Sequence, residues 1–181
     1  VAIGIKADLS ARPRCVRLKL REPLHAGGLT FDAITVNNYS GYDGYAPEGC
    51  TPVTAILPGA SYEYWKAAKA DGTYYERKKE VLAEFIKIVE EFFPEAAGKV
   101  EVTDMATPMT YQRYCDTFEG SYMSDWRPWR FASTAPICYK PGLYFTGQRT
   151  AFSGGLPVAA ETGRRTAQHL CKDYGIEFVS H

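Results

Sequence analysis

Gly142-Leu-Tyr-Phe-Thr-Gly-Gln-Arg-Thr-Ala-Phe-Ser-Gly-Gly-Leu-Pro157, running into Val158–Tyr174, is the stretch on which the fold reading turns. It reads as a short buried strand, Leu143–Thr146, then a glycine-bounded crossing, then a helix over about Leu156–Tyr174. Glycines let a backbone come close to a ligand, and a helix start offers unpaired N–H donors and partial positive charge. Leu156, Ala160, Gly163, Ala167, Leu170 and Tyr174 share one helical face, which is expected to point inward, with Gly163 admitting another backbone. Arg164, Arg165, Gln168 and Lys172 take the outer face, and Gly175 is placed to stop the helix. Chemistry is carried by Gly154-Gly-Leu-Pro157 at the helix start, and by Gly147-Gln148 at a strand end, where α/β sheets bind ligands. A glycine-centred aromatic segment, Phe118-Glu-Gly-Ser-Tyr-Met123, adds a third candidate. Each has an ordinary structural reading beside it: a loop-to-helix junction, a strand end, a turn.

Upstream, the first 58 residues read as β-rich, with strands Val1–Ala7, Cys15–Leu20, Phe31–Tyr39 and Pro52–Leu57 separated by glycine and proline turns. Val16, Leu18 and Leu20 alternate with Arg17, Lys19 and Arg21, the period of a strand with one wet face. A helix follows at Tyr62–Ala70, and a longer one runs from a capping box at Thr73-Tyr-Tyr-Glu76 to Pro94. Its stripe of Val81, Leu82, Phe85, Ile88, Val89 and Phe92 is core, and its charged face is solvated. Val100–Met105 reads as a strand, and Thr107-Pro108 opens a short helix. Asp116–Lys140 is irregular and aromatic, a connection long enough to be functional or mobile. The opening Val1-Ala-Ile-Gly-Ile5 resembles a strand already under way, so the chain is expected to be a piece of a longer polypeptide.

Composition excludes several classes. With 21 basic and 21 acidic residues the formal charge is zero, so no electrostatic footprint for nucleic acid appears. Aromatics make up 14%, with 13 Tyr, which fits either an aromatic-lined pocket or a tyrosine-rich sheet surface. Five widely spaced cysteines without CxxC point to reduced thiols in a cytoplasmic protein. His25, His169 and His181 show no metal-ligand spacing, so no metal centre is expected. No GxSxG, GxxxxGK or GxGxxG motif occurs, and no catalytic acid or base can be named.

Three blocks in order resemble the C-terminal part of the phytoene dehydrogenase-related flavoproteins, which include carotenoid desaturases, carotenoid isomerases and retinol saturases. They are Val102-Thr-Asp-Met-Ala-Thr-Pro-Met-Thr-Tyr-Gln-Arg-Tyr114, Phe118–Met123, and Gly142–Gly147 with Gly154–Pro157 and Gly163-Arg164. Weaker likeness at Tyr39–Leu57 and Tyr62–Lys66 extends it over most of the chain.

The resemblance implies a mixed α+β and α/β architecture: a largely antiparallel sheet with helices, plus the C-terminal strand and helix of a Rossmann-type FAD domain. Residues 1–134 would be the tail of the substrate domain and 135–181 the return to the FAD domain, whose N-terminal dinucleotide fingerprint is missing. FAD in the full-length protein would meet Gly154, Gly155, Leu156 and Pro157, with Gly120, Ser121 and Tyr122 near the ring. Gly147 and Gln148 stand where related enzymes often carry Gly-Asp, so an amide replaces the acid. Tyr111, Arg113 and Tyr114 are the substrate-pocket candidates. The implied activity is desaturation, saturation or isomerisation of C–C bonds in an apolar isoprenoid or polyene, with this piece alone neither binding FAD nor active. Peripheral contact with a membrane stays open for the full-length protein, and the piece is expected to dimerise through newly exposed surface. The alternative from another class is a cofactor-free module that binds a hydrophobic ligand or a protein.

Overall fold

The computed structural model describes residues 1–121, 138–150 and 155–179. The chain divides into two compact units, Val1–Gly120 and Ser121–His181. The boundary expected between residues 134 and 135 lies outside the described residues.

Period-two patterning builds the first unit. Its strands are β1 (Ala2–Ile5), β2 (Cys15–Ala26), β3 (Leu29–Asn38), β4 (Thr51–Ala55) and β5 (Val100–Asp104). They form one sheet in the order β2-β3-β4-β1-β5, every pairing antiparallel. β2 runs further than the alternation at Val16–Leu20 suggests. A register shift between Lys19 and Leu24 lets the chain pass Pro23, which has no N–H for the ladder, and resume pairing to Ala26.

The helices are α1 (Tyr62–Ala70), α2 (Tyr74–Phe92) and α3 (Pro108–Cys115). The expected stripe of α2 turns inward: Phe85 and Val89 are fully buried among Ile3, Ile5, Leu18, Ile34, Val36 and Val53 of the sheet. Burying each such side chain stabilises by about 1.5–3 kcal/mol, so this packing sets the stability of the unit. A second cluster joins Trp65 and Ala68 of α1 to Ala26, Val81 and Met105. Two buried polar residues tie down the loop after β1. Asn38 Nδ2 donates to the Leu9 carbonyl at 2.9 Å, and the Thr51 hydroxyl donates to that of Ala7 at 2.8 Å.

The capping box expected at Thr73 does not form. Asp71 takes both the Thr73 N–H, at 2.9 Å, and its hydroxyl, at 2.6 Å, so the side chain is held in a local turn instead of at the helix start. At α3 the Thr107 N–H donates to the Thr110 hydroxyl at 3.1 Å.

The second unit contains β6 (Cys138–Lys140), β7 (Leu143–Tyr144) and α4 (Gly155–Asp173). β7 is two residues long and pairs antiparallel with β6 as a hairpin, and Leu143 is 38% exposed. The buried strand expected at Leu143–Thr146 is therefore corrected. A strand is buried when sheet neighbours and helices cover it, and β7 has one strand beside it among the described residues. The Rossmann-type part of the expectation reaches no further here than a short strand followed by a helix.

The inward face expected for α4 is also corrected. Leu156 is 86% and Tyr174 61% exposed, and the buried residue of α4 is Thr162. A Cβ at Gly163 would meet the Thr146 hydroxyl at 3.8 Å, an ordinary contact, and among the described residues no other backbone. The thiols of all five cysteines are free. Among the described residues no helix is long and apolar enough to cross a membrane.

Candidate functional site

Segment 144–150 runs antiparallel along α4, and polar side chains hold it there. Near the end of the helix the Tyr144 hydroxyl donates to Asp173 Oδ2 at 2.8 Å. Further back, the Thr166 hydroxyl donates to the Phe145 carbonyl at 3.0 Å. Thr162 then accepts the Gly147 N–H at 3.1 Å. At the helix start Gln148 Oε1 accepts the Gly155 N–H at 3.0 Å. Thr162, Thr166 and Asp173 are four and seven residues apart, one face of a helix, which is why one straight segment can meet all three.

The loop carrying Gly147 and Gln148 is closed on itself as well: the Thr150 hydroxyl donates to the Gly147 carbonyl at 2.8 Å. Gly147 has φ 113° and Gly155 has φ 81°, backbone states that favour glycine. Neither glycine is crowded. Among the described residues, a Cβ at Gly147 would meet nothing within 4 Å, and one at Gly155 would touch only Pro157 Cδ at 3.9 Å. No described residue fills the space beside either backbone, and Gly155, Leu156 and Pro157 are exposed.

Gln148 behaves differently from the acid that the resemblance puts in its place. Its Oε1 is engaged by Gly155, so what it can present to a ligand is its Nε2 donor pair. Together with the positive end of α4, this makes a surface suited to acceptor oxygens such as a phosphate or a ring carbonyl.

Arg149, which the sequence reading passed over, brings Ser121 to the same loop. Its Nη1 donates to the Ser121 hydroxyl at 2.8 Å and its Nη2 to the Ser121 carbonyl at 2.7 Å. Two of the three sequence blocks thus meet inside the second unit. The signal was available in the adjacency of Arg149 to Gly147-Gln148, since a planar fork of donors suits a paired hydroxyl and carbonyl. Thr162 was missed too, because nothing local marks its partner.

Tyr144 is a perturbed titrating group in this segment. Its hydrogen bond to Asp173, with some desolvation, pushes the phenol up to about 12.

Tyr122 and Gly154 lie outside the described residues. Gly120 belongs to the first unit, is buried, and has φ 61°. A Cβ there would collide with the Pro108 carbonyl, so the close approach of this turn to the start of α3 requires glycine. On α3, Tyr111 is half-buried. The Arg113 guanidinium lies 5.1 Å over the ring of Tyr114, which is 73% exposed.

Gln148 thus joins the glycine loop to the exposed start of α4. The chain belongs to the flavin containing amine oxidoreductases, whose model matches residues 9–171. Among curated proteins it is similar to prolycopene isomerase, chloroplastic, of Daucus carota, at 28% identity over 141 residues. That match covers 73% of this chain and 22% of the relative, so the chain spans about a fifth of the relative's length. No solved structure matches it.

Proposed function

We infer that the full-length protein is an FAD-dependent oxidoreductase that desaturates, saturates or isomerises C–C bonds of an apolar isoprenoid or polyene. The observation that carries this reading is the Gln148–Gly155 hydrogen bond, which joins the glycine loop to the start of α4 while no described residue fills the space beside either glycine. The residues fit the group. Gly147, Gly155, Leu156 and Pro157 would let FAD approach the backbone. Gln148 Nε2 and the helix start would donate to its acceptor oxygens, and Arg149 would keep Ser121 beside the loop. Bound FAD supplies the electron- and hydride-accepting chemistry, which side chains do not provide. The protein's own part is to orient the cofactor and to stabilise negative charge next to it with fixed donors.

The name of the carrot relative speaks for a polyene, and the family's description speaks for an amine. The polyene reading is preferred because the sequence resemblance spans three ordered blocks that carotenoid-type enzymes share.

Purified full-length protein tests it. The expected outcome is a yellow preparation with absorbance at about 450 nm, as a bound flavin gives, and conversion of a polyene but not of a primary amine. A colourless protein that also takes up no added FAD overturns the reading in favour of a cofactor-free module. Turnover of amines overturns the substrate class alone.

A further inference from the structure

We propose that Thr162 is the positioning residue of the Gly147–Gln148 loop: its buried hydroxyl sets where the loop stands against the start of α4, and so how tightly FAD is held. This rests on the flavin reading above.

Thr162 Oγ1 sits among four backbone groups. It accepts the Gly147 N–H at 3.1 Å and lies 2.8 Å from the Val158 carbonyl, 3.1 Å from that of Ala159 and 3.2 Å from that of Gly147. A hydroxyl has one proton, and the short contact to Val158, one turn back on the same helix, is its natural acceptor. A threonine that only folded back on its own helix would make that contact and stop. Accepting from Gly147, 15 residues away, is the additional feature.

The loop is thereby fixed against α4 at two points. One is Gly147 on Thr162, and the other is Gln148 on the Gly155 N–H. Arg149 on Ser121 and Thr150 on Gly147 also hold the loop, and the two contacts to α4 are those that aim the Gln148 amide at the helix start. Gly147 at φ 113° has no side chain of its own to brace it, so its orientation depends on partners of its N–H and carbonyl. Thr166 offers an internal control. One turn along, its hydroxyl also meets the backbone of this segment, but as a donor to the Phe145 carbonyl, before the loop begins.

The experiment uses full-length protein carrying T162V, T162S or T166V, with two readouts. Hydrogen–deuterium exchange follows the peptide over residues 143–150, and FAD titration gives affinity and the visible spectrum of the bound flavin. T162V is expected to speed exchange in that peptide and to weaken FAD binding about tenfold, the loss of one part-buried hydrogen bond. The flavin absorbance bands should shift with it. T162S should restore exchange, affinity and spectrum to within about twofold of wild type, and T166V should leave affinity within about twofold.

T162V that exchanges faster yet binds FAD with unchanged affinity and spectrum overturns the proposal, because the hydroxyl is then only structural. Unchanged exchange overturns the clamp itself. If T162V does not fold, T162A carries the same expectations. Wild-type protein that takes no flavin at all overturns the flavin reading and this role with it, while the exchange data still report whether the hydroxyl holds the loop.

Discussion

Gly120 in the first unit and Gly155 in the second share a positive φ, 61° and 81°, and differ in everything around them. At Gly120 a methyl group would strike the Pro108 carbonyl; at Gly155 it would find space. One glycine is there because protein fills its surroundings, the other although no described residue does. The same contrast runs through the described residues of the two units. The first is held by apolar burial around Phe85 and Val89, the second by side chains that hydrogen-bond to the backbone along α4. A segment fastened by directional contacts can be placed accurately at a surface, where burial is unavailable to place it. That is what a ligand-facing loop needs.

The largest effect should come from the apolar side of this contrast. Phe85→Ala is expected to cost the first unit about 3–5 kcal/mol, read as a fall in the urea midpoint. A loss below about 1 kcal/mol would mean that the sheet and α2 are not its core.

Gly120→Ala comes next, at about 2–4 kcal/mol, since it combines a backbone collision with a disfavoured φ. Gly155→Ala removes only the conformational preference and should cost about 1 kcal/mol of stability. Its larger consequence should be weaker FAD binding in the full-length protein. Equal destabilisation by the two substitutions would erase the distinction drawn between them.

The smallest effect is a titration. The Tyr144 phenol is raised because its protonated form donates to Asp173, so that contact is fully present below the ordinary tyrosine range, near about 10. It is lost as pH rises through about 12. A pH-jump ultraviolet difference titration of wild type against Tyr144→Phe should show one tyrosinate step missing at about 12. A missing step near the ordinary value would show that this rung of the clamp is absent.

Much of the first unit was legible because its signals are local. The alternation at Val16–Leu20 and the helical stripe from Val81 to Phe92 each report a face within a few residues, and the structure turns those faces inward. The strand end and helix start on which the sequence reading puts its candidate glycines were legible for the same reason. Competition between neighbours was harder to read: Thr73 has the spacing of a cap, but Asp71, two residues earlier, takes its hydroxyl.

By itself, then, the amino-acid order determined a β-rich first unit, its helices α1 and α2 between β4 and β5 with the short α3 after them, and a glycine-bounded loop before a last helix. Only the tertiary structure decided which face of that helix turns inward. An apolar stripe is sought by pattern, yet the buried residue is Thr162, because the N–H it satisfies belongs to Gly147 and comes beside it only when the chain folds back. Periodicity reports burial against a generic apolar neighbour. A hydrogen bond depends on one atom of one distant residue, and no spacing along the chain encodes where that atom will be.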